Sequence, residues 1–255
     1  MDLSTRPVAT ERTWTTPDVF WPALSAATAR LDPPLAALHL PALRHNAHDL
    51  LRRAGGQPDR KTIRVASKSV RVRSVLDAVL ALPGYAGVLA YTLPEALWLA
   101  EGDAEHPAIE DVVVGYPSVD RAALARLARS PELAARVTLM VDSVAHLDLI
   151  DALLPPAQRE TLRLCLELDS SWDAPVLGHI GVFRSPLHTP QSVREVAEAI
   201  VRRPGFALVG MMGYEAQIAG QGDNPPGRPA WGATLRWMQK ASGDELLTRR
   251  AEAVG

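Results

Sequence analysis

The chain has 255 residues, 47% of them hydrophobic and 22% charged, with a formal net charge of −2 at pH 7. That length and composition describe a globular protein that one large α/β domain can account for. The near-neutral charge excludes a general nucleic-acid or anionic-membrane binder, and no apolar run reaches the roughly 18 residues of a membrane span.

In chain order, the first 30 residues carry Trp14, Phe20 and Trp21 between prolines and read as an extension, with residues 31–255 as the domain proper. Pro34–Leu40 reads as a first strand. Pro41–Arg53 follows as a helix, with proline at its start and Gly55-Gly56 at its end. Ile63–Ser67 is the second strand and Val72–Leu82 the next helix. Tyr85–Tyr91 holds the third strand, and Pro94–Glu101 is a short helix stopped at Gly102. Asp111–Gly115 is the fourth strand, followed by a helix over Asp120–Arg129 with Ser118 or Asp120 as N-cap. Val137–Val141 and Val144–Leu154 form the next strand and helix. Leu162–Leu168 is the sixth strand, Pro190–Arg202 a further helix and Ala207–Met212 the seventh strand.

Short apolar strands separated by helices call for a parallel sheet buried on both faces. Seven such units favour a (β/α)8, TIM-type barrel over an open doubly wound sheet. No Gly-x-Gly-x-x-Gly follows the first strand, which speaks against dinucleotide binding. After the seventh strand come a Gly/Pro-rich loop, Gly220–Gly232, and a helix, Ala233–Val254. The eighth strand is missing from this reading. The expectation is a truncated chain or fragment, or else a seven-stranded barrel with two edges to protect. The single cysteine, Cys165, cannot form an internal disulfide, and Met1–Pro17 lacks the apolar core of a signal peptide. Both fit a cytoplasmic protein.

Lys68 is the residue that points to chemistry. The chain has three lysines, at 61, 68 and 240, against 24 arginines. A composition so tilted to arginine has little need of lysine for surface charge, and only lysine can lose its proton and attack a carbonyl. Lys68 lies where an apolar strand gives way to Ser67-Lys68-Ser69-Val70-Arg71, which makes it a candidate Schiff-base former or a strand-end lysine reaching solvent. The other strand ends carry Tyr91-Thr92, Tyr116-Pro117-Ser118, Asp142-Ser143, Asp169-Ser170-Ser171 and Tyr214-Glu215-Ala216-Gln217. Barrel chemistry sits at such ends, although Ser118, Asp142 and Ser143 also read as helix caps. His45 and His48 read as a solvated helix face and His39 as a core histidine, and no Cys/His zinc pattern occurs.

The segment around Lys68 resembles the N-terminal barrel of the alanine racemase-like, fold-type III pyridoxal-phosphate enzymes. Leu162–Asp169 followed by Gly178-His179-Ile180-Gly181, and Val209–Glu215 on the next strand, are similar to segments of that family. Ser67–Arg71 and Tyr214–Gly220 look closest to its D-threonine aldolase, D-serine dehydratase and amino-acid deaminase branch. The resemblance implies an enzyme acting at the α carbon of an amino acid as aldolase, deaminase or dehydratase, or as racemase. It implies Lys68 as the cofactor's Schiff-base lysine and the catalytic base, with Arg71, His179, Tyr214 and Gln217 as further cofactor contacts. His179 stands where many relatives carry arginine. It is a ring contact or a loop histidine, just as Tyr214 is a site residue or a capping aromatic, and Arg71 an anion contact or an exposed first-turn residue. No metal ligand is assigned, because relatives bind a divalent metal through a C-terminal part, and that part, the family's β domain and its glycine-rich phosphate loop are not found in this sequence. A homodimer is implied only for a full-length form. The alternatives are a non-catalytic pyridoxal-phosphate-binding barrel and a cofactor-free Schiff-base aldolase.

Overall fold

A computed structural model describes residues 1–5, 13–55 and 61–255 of the chain. Residues 6–12 of the extension and Gly56, the second of the two helix-stop glycines, lie outside the described residues. Two compact units are present: Met1–Leu89 with Asp103–Pro107, and Ala90–Gly102 with Ala108–Gly255.

The first unit contains α1 (Pro17–Thr28), α2 (Leu40–Arg53), β1 (Ile63–Ala66), α3 (Arg73–Leu80) and β2 (Tyr85–Ala90). β1 and β2 are parallel, with Ile63 opposite Tyr85 and Ala66 opposite Leu89. Leu3, Ala47, Val75, Val79, Leu82 and Tyr85 form the core against these strands. The Tyr85 hydroxyl ends in that core and donates to the Ala47 carbonyl at 2.9 Å, so the ring is buried without an orphaned polar atom. Helix α1 buries none of its residues, and the Phe20 and Trp14 rings meet the His39 ring edge-on.

The expected strand over Pro34–Leu40 is not formed. Residues 35–39 have no regular secondary structure, and Leu35, Leu38 and Leu40 are exposed. A strand of a parallel sheet has both faces covered, and these leucines are not. His39 is likewise no core residue, because its ring nitrogen accepts the Ala42 N–H at 3.3 Å and caps α2. His48 bonds the Leu3 carbonyl at 3.0 Å, and His45 lies 5.6 Å from the Trp14 ring.

The second unit contains α4 (Leu93–Glu101), β3 (Val112–Pro117), α5 (Arg121–Arg129), α6 (Pro131–Arg136), β4 (Val137–Val141), α7 (Val144–Leu153) and β5 (Leu162–Leu168). It continues through β6 (Trp172–Ala174), β7 (Gly178–Ile180), α8 (Pro190–Arg202), β8 (Phe206–Gly213), α9 (Ala216–Ala219) and α10 (Pro229–Val254). β3, β4, β5 and β8 lie side by side in that order, all parallel. β6 and β7 form a separate antiparallel pair. β4 is buried along its whole length and β5 along nearly all of it, as strands covered by helices on both faces must be. Helix α8 starts on a capping box, in which Thr189 and Ser192 satisfy each other's backbone N–H.

Among the described residues there are thus six parallel strands, two in the first unit and four in the second, where the sequence reading has seven. No described helix is long and apolar enough to cross a membrane.

Candidate active site

The first unit presents Lys68. Directly after β1 the chain enters a tight turn, Ser67–Ser69. The Ser67 carbonyl accepts the N–H groups of both Val70 and Arg71, at 3.0 and 2.9 Å. Ser67 itself is buried, and its hydroxyl donates to the Leu89 carbonyl of β2 at 3.4 Å. The turn therefore anchors one residue inward and turns the next one out. Lys68 is exposed, and among the described residues its ammonium has no hydrogen-bond or ion-pair partner. Arg71 closes the turn with a φ of 44°, the one positive φ at a non-glycine residue among the described residues, and its Nε donates to the Lys68 carbonyl at 3.3 Å. A left-handed arginine costs about 1–3 kcal/mol, and such strained residues cluster at functional sites.

In the second unit the centre of the strand ends is an ion pair that the sequence reading missed. Glu167, on β5, is fully buried. Its Oε1 accepts from Nε of Arg184, which arrives from the loop between β7 and α8. Arg184 Nη2 donates to the Gly115 carbonyl of β3 at 2.6 Å. The guanidinium lies 4.3 Å from the Tyr116 ring centroid and 5.3 Å from that of Tyr214. One arginine thus ties together the ends of β3, β5 and β8. Burial pushes the Glu167 carboxyl up; Arg184 opposes this and only partly offsets it, while Asp142 and Asp169 push in the same direction as burial. Burial works against the Arg184 charge, but Tyr116 and Glu167 outweigh it and raise the guanidinium further. Glu167 Oε2 is buried without a hydrogen-bond partner.

Next along β5, burial pushes the Asp169 carboxyl up, but hydrogen bonding from Ser171 outweighs it and leaves the group below its ordinary value. The Ser171 N–H donates to Asp169 Oδ1 at 2.7 Å. Helix α10 closes this side: Arg249 donates to the carbonyls of Asp169, Ser171 and His188 at 2.7, 2.7 and 2.9 Å.

His179 lies on β7. Its Nδ1 is 3.1 Å from Asp173 Oδ1, its Nε2 is buried without a partner, and its ring stacks on Phe183 at 3.6 Å. Tyr214 stands exposed after β8 beside Arg184. Gln217 is buried instead, donating to the Ser170 carbonyl at 2.7 Å and the Ser242 hydroxyl at 2.8 Å. Tyr116 and Tyr214 are thus brought together around Arg184, whereas Gln217 braces α9 and α10 against the end of β5. Of the strand-end residues read as caps, Asp120 caps α5, accepting the Ala123 N–H at 3.0 Å. Ser143 starts α7 without a side-chain cap bond. Asp142 lies 3.1 Å from His146.

Gly181 fixes the loop that follows β7. Its φ is 123°, and an added Cβ would sit 2.9 Å from Gln217 Oε1 and 3.0 Å from Ser171 Cβ. Gly181→Ala should cost about 1–3 kcal/mol in chemical denaturation. A variant as stable as the parent would show that the backbone can leave this conformation freely.

Parallel strands alternating with helices, in both units, are the architecture of α/β proteins of barrel type. Residues 38–244 match the family described as alanine racemase, N-terminal domain, and the chain belongs to that family. It is 28% identical over 203 residues to the 3-hydroxy-D-aspartate aldolase of Paracoccus denitrificans, across 76% of this chain and 46% of that protein. Its structure is similar to D-threonine aldolase from Filomicrobium marinum, with a TM-score of 0.54 and 19% identity over 85% of this chain and 54% of that one. Alanine racemase from E. faecalis matches at a TM-score of 0.49 and 15% identity, over 79% and 48% of the two chains. The chain spans about half the length of the relatives it matches. Among the described residues no group of His, Cys, Asp or Glu side chains is placed to hold a metal ion.

Proposed function

We propose that the chain carries the cofactor-anchoring barrel of a pyridoxal-phosphate enzyme that acts at the α carbon of a β-hydroxy-amino acid, with Lys68 as the anchoring lysine. The observation that carries this reading is the turn after β1, where a buried serine and a left-handed arginine hold one exposed, unpartnered lysine in place. The two aldolase relatives support the choice of substrate class.

The residues present suit the cofactor. Its aldehyde needs an accessible primary amine, and Lys68 provides one. Within the second unit, Nε2 of His179 and Oε2 of Glu167 are buried polar atoms without a protein hydrogen-bond partner among the described residues. When bound, the cofactor supplies an electron sink for charge developing at the substrate α carbon. Lys68 would be the residue that holds it, and the Lys68 amine would take a proton from the substrate or return one to the α carbon. Arg71 fixes the Lys68 backbone through its own bond to the carbonyl. Arg184, paired with Glu167, lies against the rings of Tyr116 and Tyr214 at the C-terminal ends of the strands. His179, Tyr214 and Arg71 are the side chains we assign to cofactor contact, and Gln217, bonded to Ser170 and Ser242, holds α9 and α10 against the end of β5.

The test is to supply pyridoxal phosphate and a β-hydroxy-amino acid and to analyse the products. Cleavage of the Cα–Cβ bond releases glycine and an aldehyde. Loss of water with deamination releases ammonia and a keto acid. Glycine with aldehyde is the expected pair. Spectral binding of the cofactor without turnover of any β-hydroxy-amino acid would leave only the carrier role and overturn the proposal.

A further inference from the structure

Pro17–Leu40, within the first unit, holds α1 and the irregular segment that leads from it to α2. The stretch carries three charged side chains, Asp18, Arg30 and Asp32, and only Asp18 is on α1. A helix so nearly uncharged all round has the composition of one that is covered on every side, yet α1 buries none of its residues. We propose that this face is where two copies of the chain pair about a two-fold axis, with Trp21 and Leu38 in the contact. The inference does not depend on the catalytic reading above.

The exposed apolar side chains lie together. Val19 and Trp21 flank Phe20 in the chain, and Leu38 and Leu40 flank His39. The Phe20 and His39 rings meet edge-on with centroids 5.1 Å apart, and the Trp21 ring lies 5.1 Å from that of Phe20. The four side chains therefore surround one ring contact. Leu31 and Leu35 add to them from the segment in between, and each of the six is 40–60% exposed. A large apolar side chain offers about 150–250 Å², so the six leave roughly 600 Å² in water. That is the upper end of what a monomer exposes, and such patches mark contact surfaces. Two of these faces bring together ~1,200 Å², the area at which specific protein–protein interfaces begin.

The chemistry of the patch selects a second copy. A two-fold pairing sets one surface against itself, and an apolar surface complements itself without help from a partner of opposite charge. The charges at hand are of both signs. Asp18, Arg30 and Asp32 make no ion pair among the described residues, so a pair of copies has cation and carboxylate available on each side of the contact.

The experiment is sedimentation velocity of the chain over a concentration series. A dimer should form at about 10–100 μM. Trp21→Glu, on α1, and Leu38→Glu, in the irregular segment, should each weaken it at least about tenfold while the far-UV circular dichroism stays that of the parent. Leu38 lies outside any helix, so its effect cannot come from a melted α1. Leu247→Glu, at an exposed leucine of α10 in the second unit, should leave the dimer as it is. A chain monomeric throughout the series, a dimer that neither Trp21→Glu nor Leu38→Glu weakens, or one that Leu247→Glu weakens as much would each overturn the proposal. So would open-ended association, because a two-fold pair closes on itself.

Discussion

Lys68→Ala and Lys68→Arg should both abolish covalent capture of pyridoxal phosphate and lower turnover by at least about 10²–10⁴-fold, the share of a positioned acid–base group alone. Arginine keeps the charge but cannot form the adduct. Both variants should unfold within about 0.5 kcal/mol of the parent, because Lys68 is exposed and touches no partner among the described residues. The pairing of these outcomes makes the result specific, since a loss of activity with a loss of stability would point to a damaged turn instead. Retained turnover in either variant would remove Lys68 from the mechanism. Ser67→Ala separates the two roles from the other side. It deletes a buried donor to the Leu89 carbonyl and so loosens the turn while the amine stays in place.

The second large effect is on stability. Arg184→Met leaves Glu167 buried beneath the tyrosines with no cation, and removing one partner of such a pair costs about 3–5 kcal/mol. That is a large part of the roughly 5–15 kcal/mol that holds a domain together. The double variant Arg184→Met with Glu167→Leu should recover most of it, because the uncompensated charge is then gone. The pH dependence has a definite sign. Glu167 is raised above its ordinary value of 4.5 by burial, against the opposing effect of Arg184. A carboxyl whose folded pKa exceeds its unfolded one stabilises the fold below the unfolded value and loses that contribution as pH rises through the folded value. Without Arg184 the rise is larger. The gap in stability between the parent and Arg184→Met should therefore narrow as pH falls from neutral toward 4.5. A single-variant cost under about 1 kcal/mol, or a gap that widens on acidification, would show that solvent reaches Glu167.

Much of this was legible in the residues. Val137–Val141 and Leu162–Leu168 are strands with the limits the sequence suggests, because an uninterrupted β-rich apolar run between turn signals has few other uses. The segment Pro34–Leu40 misled for the converse reason. Leu35-Ala36-Ala37-Leu38 has no β-branched or aromatic residue, and Pro34 and Pro41 bracket it. Helix α6 has no counterpart in the sequence reading, although Ser130, Pro131 and Glu132 spell a helix start; the Ser130 hydroxyl accepts the Leu133 N–H at 3.2 Å. Lys68 could be found from the strand end and from the scarcity of lysine. Arg184 could not, because it comes from a loop beyond a hairpin whose strands are three residues each. The signal available was Glu167 itself: a carboxylate between leucines in a buried strand requires a cation from elsewhere in the chain.

The central claim is that Lys68 is the covalent anchor, and the composition makes it directly measurable. The chain has three lysines, of which Lys240 pairs with Asp244 on the exposed face of α10. Pyridoxal phosphate is added, the adduct is reduced with borohydride so that the cofactor stays on the lysine nitrogen, and the peptides are mapped by mass spectrometry. The account predicts the label on the peptide bearing Lys68, at about one per chain and dependent on a folded protein. A label spread over Lys61 and Lys240, or one equally strong in the Lys68→Arg variant, would contradict it.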